Sequence, residues 1–135
     1  IGKEKPSRIF ALHPVLHLND DESTSFTHTK SISDAAKKLF SLTQNSLIIT
    51  CGKDGALCYD AETQEESVIP CSDCVRAVDT TGAGDSHCGT VIASLKTGFS
   101  LFESVKRANN IASVVVTCPG ANLPDDIFKM AVSKI

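Results

Sequence analysis

The chain has no tryptophan, one tyrosine and one methionine, and aromatic residues make up only 5% of its 135 residues. A core must therefore be packed mainly from aliphatic side chains, which is ordinary for a globular domain. No apolar run approaches the roughly 20 residues that a membrane-spanning helix needs. The net charge of −3 argues against nonspecific binding to anionic polymers or surfaces. We therefore expect neither nucleic acid nor a membrane among the partners.

The chain also lacks a charged segment followed by an apolar one at its start, so no secretory signal is visible. We expect a cytoplasmic protein whose six cysteines are reduced thiols. Cys51, Cys88 and Cys118 lie in apolar or glycine-rich surroundings and are expected in the core. Cys71 and Cys74 form a lone C-x-x-C motif, and a metal or redox role is disfavoured because no second close pair completes a zinc site.

Hydrophobic periodicity predicts a layered α/β domain, or part of a larger one. The continuous apolar run Leu47–Cys51 is typical of a buried strand, and Ser100 with Glu103 forms a capping box before a long apolar helix. The apolar surface of that helix must be buried against other elements, which is why part of a larger domain also fits. The predicted order is a strand over 9–18, a loop or short helix over 19–29, a helix from 32, a strand over 47–51, a hairpin over 56–69, a strand over 75–78, and helices from 84, from 100 to near 119–120, and from 124.

The most informative segment is Asp79–Asp85, which reads Asp-Thr-Thr-Gly-Ala-Gly-Asp. Two glycines let the backbone turn sharply and present N–H groups at a helix start, which is an anion site. The Asp85 carboxylate beside it is suited to accept a proton during phosphoryl transfer. The segment is not a P-loop, since no Gly-Lys-Ser/Thr follows, and His87 replaces the third glycine of a dinucleotide fingerprint. A plain glycine turn with Asp79 and Asp85 as helix caps is the alternative.

This segment resembles the signature of the PfkB family of carbohydrate kinases, which have the ribokinase-like fold. The same resemblance extends, in the family's order, to Asn19-Asp20-Asp21-Glu22, Thr50–Gly55, 108–110 and 117–121. It covers nearly all of the chain but only the C-terminal portion of the family, whose members are substantially longer. It implies that residues 1–135 are the C-terminal ATP-binding portion of a three-layer α/β/α domain, with a mostly parallel sheet and an edge hairpin. The start at Ile1 agrees with a fragment or a processed chain.

The resemblance also implies roles for individual residues in catalysis and nucleotide binding. Asp85 would be the general base that takes a proton from the acceptor hydroxyl. The backbone N–H groups of Gly82, Ala83 and Gly84 would form an anion hole for the transferred phosphate. The residues implied to contact ATP are Thr50, Gly52 and Gly55 along the phosphates and ribose, and Asn109 near the adenine.

Two cation sites follow from the same resemblance. Asn19 and Glu22 would help to hold Mg²⁺ through water. Asp79 and Thr81 would contribute to a site for a monovalent cation such as K⁺, together with backbone groups around Val115, Cys118 and Gly120. Many members of the family carry phenylalanine where this chain has His87. That histidine could pair with Asp85 or replace a packing ring, and the helix period favours packing because it points the ring away from Asp85.

The expected function is therefore ATP-dependent transfer of the γ-phosphate to a hydroxyl group of a sugar, a nucleoside or a related small molecule. One alternative is a catalytically incomplete nucleotide-binding fragment that lacks the acceptor-binding half. A second alternative is a purely structural α/β domain. The resemblance leaves a homodimer open.

Overall fold

The computed structural model describes residues 8–71, 75–120 and 123–133. The chain divides into a first unit, residues 1–52 and 57–68, and a second unit, residues 53–56 and 69–135. The strands are β1 (Leu16–Asn19), β2 (Leu47–Thr50), β3 (Ala56–Asp60) and β4 (Glu65–Ile69), with a 3₁₀ turn at Gly52–Asp54. The helices are α1 (Asp20–Thr27), α2 (Ile32–Thr43), α3 (Ala83–Lys96), α4 (Leu101–Val115) and α5 (Asp125–Ser133).

The four strands form one sheet in the order β1-β2-β3-β4. β1 and β2 are parallel, with Leu16 opposite Leu47 and Asn19 opposite Thr50. The short connections from β2 to β3 and from β3 to β4 leave no room for a crossover, so those pairs are antiparallel. The sheet of the described residues is therefore mixed: it is parallel between β1 and β2 and antiparallel from β2 through the hairpin. The expected hairpin is confirmed and lies at one edge.

The core of the first unit forms between α2 and the sheet. Ala35 and Leu39 of α2 pack with Leu47, Ile49 and Leu57, and each of these side chains is at most 1% exposed. Burying a leucine or isoleucine contributes about 1.5–3 kcal/mol, so this cluster stabilises the sheet strongly. Both the α2 helix and the β2 strand were predicted from their apolar patterns, and both are confirmed.

The strand predicted over residues 9–18 is wrong in its first half. Residues 8–10 are helical, and the strand begins only at Leu16. Leu12 and His13 donate their N–H groups back to Ile9 and Phe10, which closes a turn. Pro14 has no N–H for a sheet ladder, so extended pairing can start only after it.

The second unit is built from α3, α4 and α5. Ser100 and Glu103 form the predicted capping box at the start of α4. Ile111 and Val115 of α4 pack against Ala131 of α5. α4 ends at Val115, before the predicted end near 119–120. Thr117 directs its hydroxyl to the Val114 carbonyl at 2.7 Å, which competes with helix continuation.

The segment predicted as a strand over residues 75–78 has no regular secondary structure. The N–H groups of Val78 and Asp79 both donate to the Val116 carbonyl, at 2.7 and 3.2 Å. This stretch is therefore bonded to the end of α4 instead of to a strand. On α3 and α5, the apolar side chains of Ile92 and Met130 are 62% and 46% exposed.

Among the described cysteines, Cys58 is buried. Cys51, Cys88 and Cys118 were predicted in the core, but they are only half-buried. Burial raises the pKa of the Cys58 thiol to about 12. The C-x-x-C motif falls partly on residues 72–74, which lie outside the described residues. Within the described ranges, no helix combines the length and the apolar character needed to cross a bilayer.

Candidate active site

A tight turn leads into α3. The Ala83 N–H donates to the Thr80 carbonyl at 3.2 Å, and Gly82 lies between them with φ 78° and ψ −2°. These angles are those of the third residue of a type II turn, a position that requires positive φ and so favours glycine. Gly82 is also the N-cap of α3. The glycine at this position is thus explained by backbone geometry alone.

The beginning of α3 is left open. Gly82 offers no side chain to cap the helix. The hydrogen bonds of the helix begin at Ser86, whose N–H donates to the Gly82 carbonyl at 2.9 Å. Within the described part of the chain, the N–H groups of Gly84 and Asp85 have no partner. A Cβ added at Gly84 would meet nothing within 4 Å. Unsatisfied N–H groups at the start of a helix, with no atom crowding the Cβ position of Gly84, fit an anion.

This arrangement changes the predicted anion hole in one respect. The N–H of Ala83 is already used by the turn, whereas the N–H of Asp85, which sequence reasoning did not single out, is available. The Asp85 side chain is exposed and has no hydrogen-bond or ion-pair partner among the described residues. A free carboxylate next to unsatisfied N–H groups can accept a proton from a group bound there.

Asp79 anchors the turn to the segment that follows α4. Its Oδ1 accepts the Thr81 N–H and its Oδ2 accepts the Gly120 N–H, both at 2.9 Å. Hydrogen bonds from the Thr81 hydroxyl and from these two N–H groups lower the pKa of Asp79 from 3.8 to about 2. The carboxylate is therefore ionised at neutral pH. This group unites three of the residues predicted around the monovalent cation.

Gly55 and Asn109 meet at the end of β4. Gly55 has φ 97°, and a Cβ there would lie 2.1 Å from the Ile69 carbonyl oxygen. Asn109, 2% exposed, donates from Nδ2 to the same oxygen at 2.9 Å. Its Oδ1 lies 3.0 Å from His87 Nε2. Because the Asn109 amide is buried and bonded on both sides, this geometry does not support the predicted contact of its side chain with adenine.

The His87 ring is 2% exposed, which agrees with the packing interpretation favoured from the sequence. Its hydrogen bond to Asn109 was missed. A signal for it was present, since Asn109 lies between the apolar residues Ala108 and Ile111 in the long apolar helix predicted after Ser100. A polar side chain on a buried face needs a partner.

The remaining predicted residues lie in the first unit. Asn19 and Glu22 form a reciprocal capping box: Asn19 Oδ1 accepts the Glu22 N–H at 2.7 Å, and Glu22 Oε2 accepts the Asn19 N–H at 3.0 Å. Thr50 is the register partner of Asn19 at the carboxyl ends of β1 and β2. Gly52 has φ 55° and open space around its Cβ position. Asn19 and Thr50 are the last residues of the two parallel strands, and Glu22 and Gly52 follow shortly after them.

The oxygen atoms of the candidate ligand residues differ in how well they fit Mg²⁺ and a monovalent cation. Among the described residues, no three His, Cys, Asp or Glu side chains are clustered as a metal site. Asn19 and Glu22 supply oxygen atoms, but both also serve the helix cap, so they fit Mg²⁺ held through water and not a closed cage. Asp79 supplies an ionised carboxylate whose two oxygens each accept one N–H, and their remaining lone pairs fit a weakly bound monovalent cation.

Comparison with known proteins decides the family. The model of the pfkB family of carbohydrate kinases matches residues 2–127. The chain belongs to this family. An uncharacterized sugar kinase of Escherichia coli, YegV, is 33% identical to this PfkB chain over 114 residues, which are 82% of this chain and 35% of the relative.

Solved structures show the ribokinase-like fold for this PfkB chain. Aminoimidazole riboside kinase from Salmonella enterica, complexed with aminoimidazole riboside and an ATP analogue, matches with a TM-score of 0.77 and 30% identity. The match covers 95% of this chain and 45% of that structure. Ribokinase from Thermotoga maritima matches with a TM-score of 0.80 and 27% identity, covering 94% and 44%. The PfkB chain thus spans less than half the length of the relatives it matches.

Proposed function

We propose that this chain is the C-terminal, nucleotide-binding portion of a kinase that transfers the γ-phosphate of ATP to a hydroxyl group of a sugar, a nucleoside or a related small molecule. The observation that carries the proposal is the uncapped beginning of α3, where the N–H groups of Gly84 and Asp85 have no partner among the described residues and the Asp85 carboxylate is exposed. Family membership supplies the reaction class, and the complex of the Salmonella relative with an ATP analogue agrees with it.

The proposed chemistry divides between the backbone and one side chain. The N–H groups of Gly84 and Asp85 stabilise negative charge on the transferred phosphoryl group, as donors fixed before the reaction do. The Asp85 carboxylate accepts the hydroxyl proton while the acceptor oxygen bonds to phosphorus and the bond to ADP breaks. A general base of this kind contributes about 10²- to 10⁴-fold to the rate.

Cations complete the proposal. Mg²⁺ would neutralise charge on the phosphates. Asn19 and Glu22 would hold its water shell, and the hydrogen bonds of their capping box would stay intact. Asp79 and Thr81, with the backbone near Gly120, would hold K⁺ or a similar ion beside the turn, and Thr50, Gly52 and Gly55 would line the bound nucleotide. The acceptor class and a cytoplasmic location remain expectations from the sequence.

Two experiments test the proposal in sequence. Calorimetry with Mg-ATP measures nucleotide binding by the folded protein, and the absence of heat at millimolar nucleotide would contradict every nucleotide-binding function. A coupled ADP-release assay over a panel of sugars and nucleosides then measures turnover. ADP release that depends on one acceptor is the expected result.

The second candidate function is a nucleotide-binding fragment without catalysis. It is favoured by one observation, namely that the chain covers only 35–45% of the relatives named above. The assay uses the full-length protein. Binding of Mg-ATP without acceptor-dependent release of ADP would support this candidate over the kinase.

A further inference from the structure

A continuous set of contacts in the second unit joins Gly55 to the first turns of α3. The Gly55 backbone lies against the Ile69 carbonyl so closely that a Cβ would come within 2.1 Å of its oxygen. Asn109 Nδ2 donates to that oxygen at 2.9 Å, and Asn109 Oδ1 lies 3.0 Å from His87 Nε2. His87 is the fifth residue of α3. The set therefore connects two segments that the proposed function assigns to the nucleotide.

The direction of each hydrogen bond follows from the chemistry of the groups. The Ile69 carbonyl can only accept, so the Asn109 atom that faces it must be the amide nitrogen. The Asn109 atom that faces His87 is then the oxygen, which also only accepts. His87 must therefore carry its proton on Nε2 and donate it to Asn109. A phenylalanine of similar shape could not do this, and it would leave the Asn109 oxygen buried without that donor.

The position of His87 sets the rotation of α3 about its axis. Successive helix residues are about 100° apart, so Asp85 lies about 200° from His87. With His87 buried at 2% exposure, Asp85 must face outward, as it does. Any rotation of α3 that released His87 would also move the Asp85 carboxylate and the N–H groups of the first turn.

We propose that His87 is a positioning residue: through Asn109 it fixes the beginning of α3, and with it Asp85, relative to the Ile69 carbonyl and Gly55. The inference rests on the proposed function for its catalytic consequence. In this chain the residue at that position is a hydrogen-bonded ring. A displacement of about 1 Å at reacting groups can reduce a rate about a hundredfold, so loss of this bond is expected to reduce turnover measurably.

The test compares four forms of the protein at its natural length: wild type, His87→Phe, His87→Gln and Val91→Ala. Phenylalanine keeps a ring and removes the donor. Glutamine restores a donor near the position of Nε2. Val91 is buried one turn further along α3 at 4% exposure, so its truncation destabilises the same helix without touching the hydrogen bond and serves as the matched control.

The first readout is amide hydrogen exchange at residues 86–88, which needs no activity. His87→Phe is expected to speed exchange there at least about tenfold, with recovery in His87→Gln and little change in Val91→Ala. Unchanged exchange in His87→Phe overturns the inference. If wild type binds no nucleotide and turns over no acceptor, the proposed function fails and this readout alone decides the inference.

The second readout is turnover with Mg-ATP and either D-ribose or adenosine, measured well below the unfolding temperature of every variant. His87→Phe is expected to lower kcat about tenfold to a hundredfold with KM for Mg-ATP unchanged, and His87→Gln to recover most of it. An equal loss of kcat in His87→Phe and Val91→Ala, or no recovery in His87→Gln, would reduce the role to stability and overturn the inference.

Discussion

α3 and α4 begin differently, although both lie in the second unit and both carry an acidic residue in the first turn. α4 is closed by Ser100 and Glu103, whose side chains satisfy backbone N–H groups reciprocally. α3 is preceded by Gly82, which offers no side chain, and its first turn keeps N–H groups without partners in the described structure. A serine cap stabilises a helix by about 1 kcal/mol relative to alanine, but by only about a few tenths of that relative to glycine. The open beginning of α3 forgoes this contribution and keeps its donors for an anion.

The largest difference between the two beginnings should appear when their acidic residues are neutralised. Asp85→Asn removes the proposed base, so kcat should fall about 10²- to 10⁴-fold while calorimetry shows unchanged affinity for Mg-ATP. Glu103→Gln is the control, because glutamine still serves a capping box, and it should leave both quantities unchanged. Turnover of Asp85→Asn within a few-fold of wild type would remove Asp85 as the base.

A methyl group at Gly84 tests whether a phosphate approaches the first turn of α3. Gly84→Ala should fold normally, since its Cβ meets nothing within 4 Å, yet the methyl would stand where a phosphate approaches. We expect kcat/KM to fall about a hundredfold, similar to losing one donor of an oxyanion hole. Gly89→Ala, also with open space, should stabilise α3 by about 0.5–1 kcal/mol without loss of activity. Equal activity of the two variants would contradict the proposal.

Unfolding experiments should separate the causes of stability at the two helix beginnings. Ser100→Ala removes a cap and should lower the free energy of unfolding by about 1 kcal/mol, with kcat unchanged. Gly82→Ala places a side chain at φ 78° and should cost about 1–2 kcal/mol. Denaturant titration measures both. A neutral effect of Gly82→Ala would show that the turn does not require glycine.

The smallest expected effect is the pH dependence of the Asp79 anchor. Its pKa is lowered from 3.8 to about 2 in the folded chain, so its contribution to stability is fully present above about pH 4 and is lost as the pH falls toward 2. The difference in unfolding midpoint between wild type and Asp79→Asn should therefore shrink between pH 5 and pH 2. A difference that stays constant over this range would contradict the claim that the ionised Asp79 carboxylate stabilises the fold.

Local signals in the sequence were sufficient for α2, β2, the hairpin and the Ser100 capping box, because each depends on neighbouring residues. They failed where distant groups decide the outcome. The segment before Asp79 is rich in valine but bonds to the Val116 carbonyl instead of a strand. The buried Asn109 bonds to His87 and to the Ile69 carbonyl, which are 22 and 40 residues away in the chain. The sequence singled out Gly82 and Asp85 as candidate site residues. It could not show which N–H groups at the beginning of α3 would lack hydrogen-bond partners.

The central claim is that the beginning of α3, and not that of α4, receives phosphate. The most direct measurement is a titration of the ¹⁵N-labelled protein with a non-hydrolysable ATP analogue and Mg²⁺, followed through backbone amide shifts. We predict saturable shifts at Gly84 and Asp85, with the amides of Leu101, Phe102 and Glu103 unmoved. Saturable binding that leaves Gly84 and Asp85 unshifted, or moves both helix beginnings alike, would contradict the account.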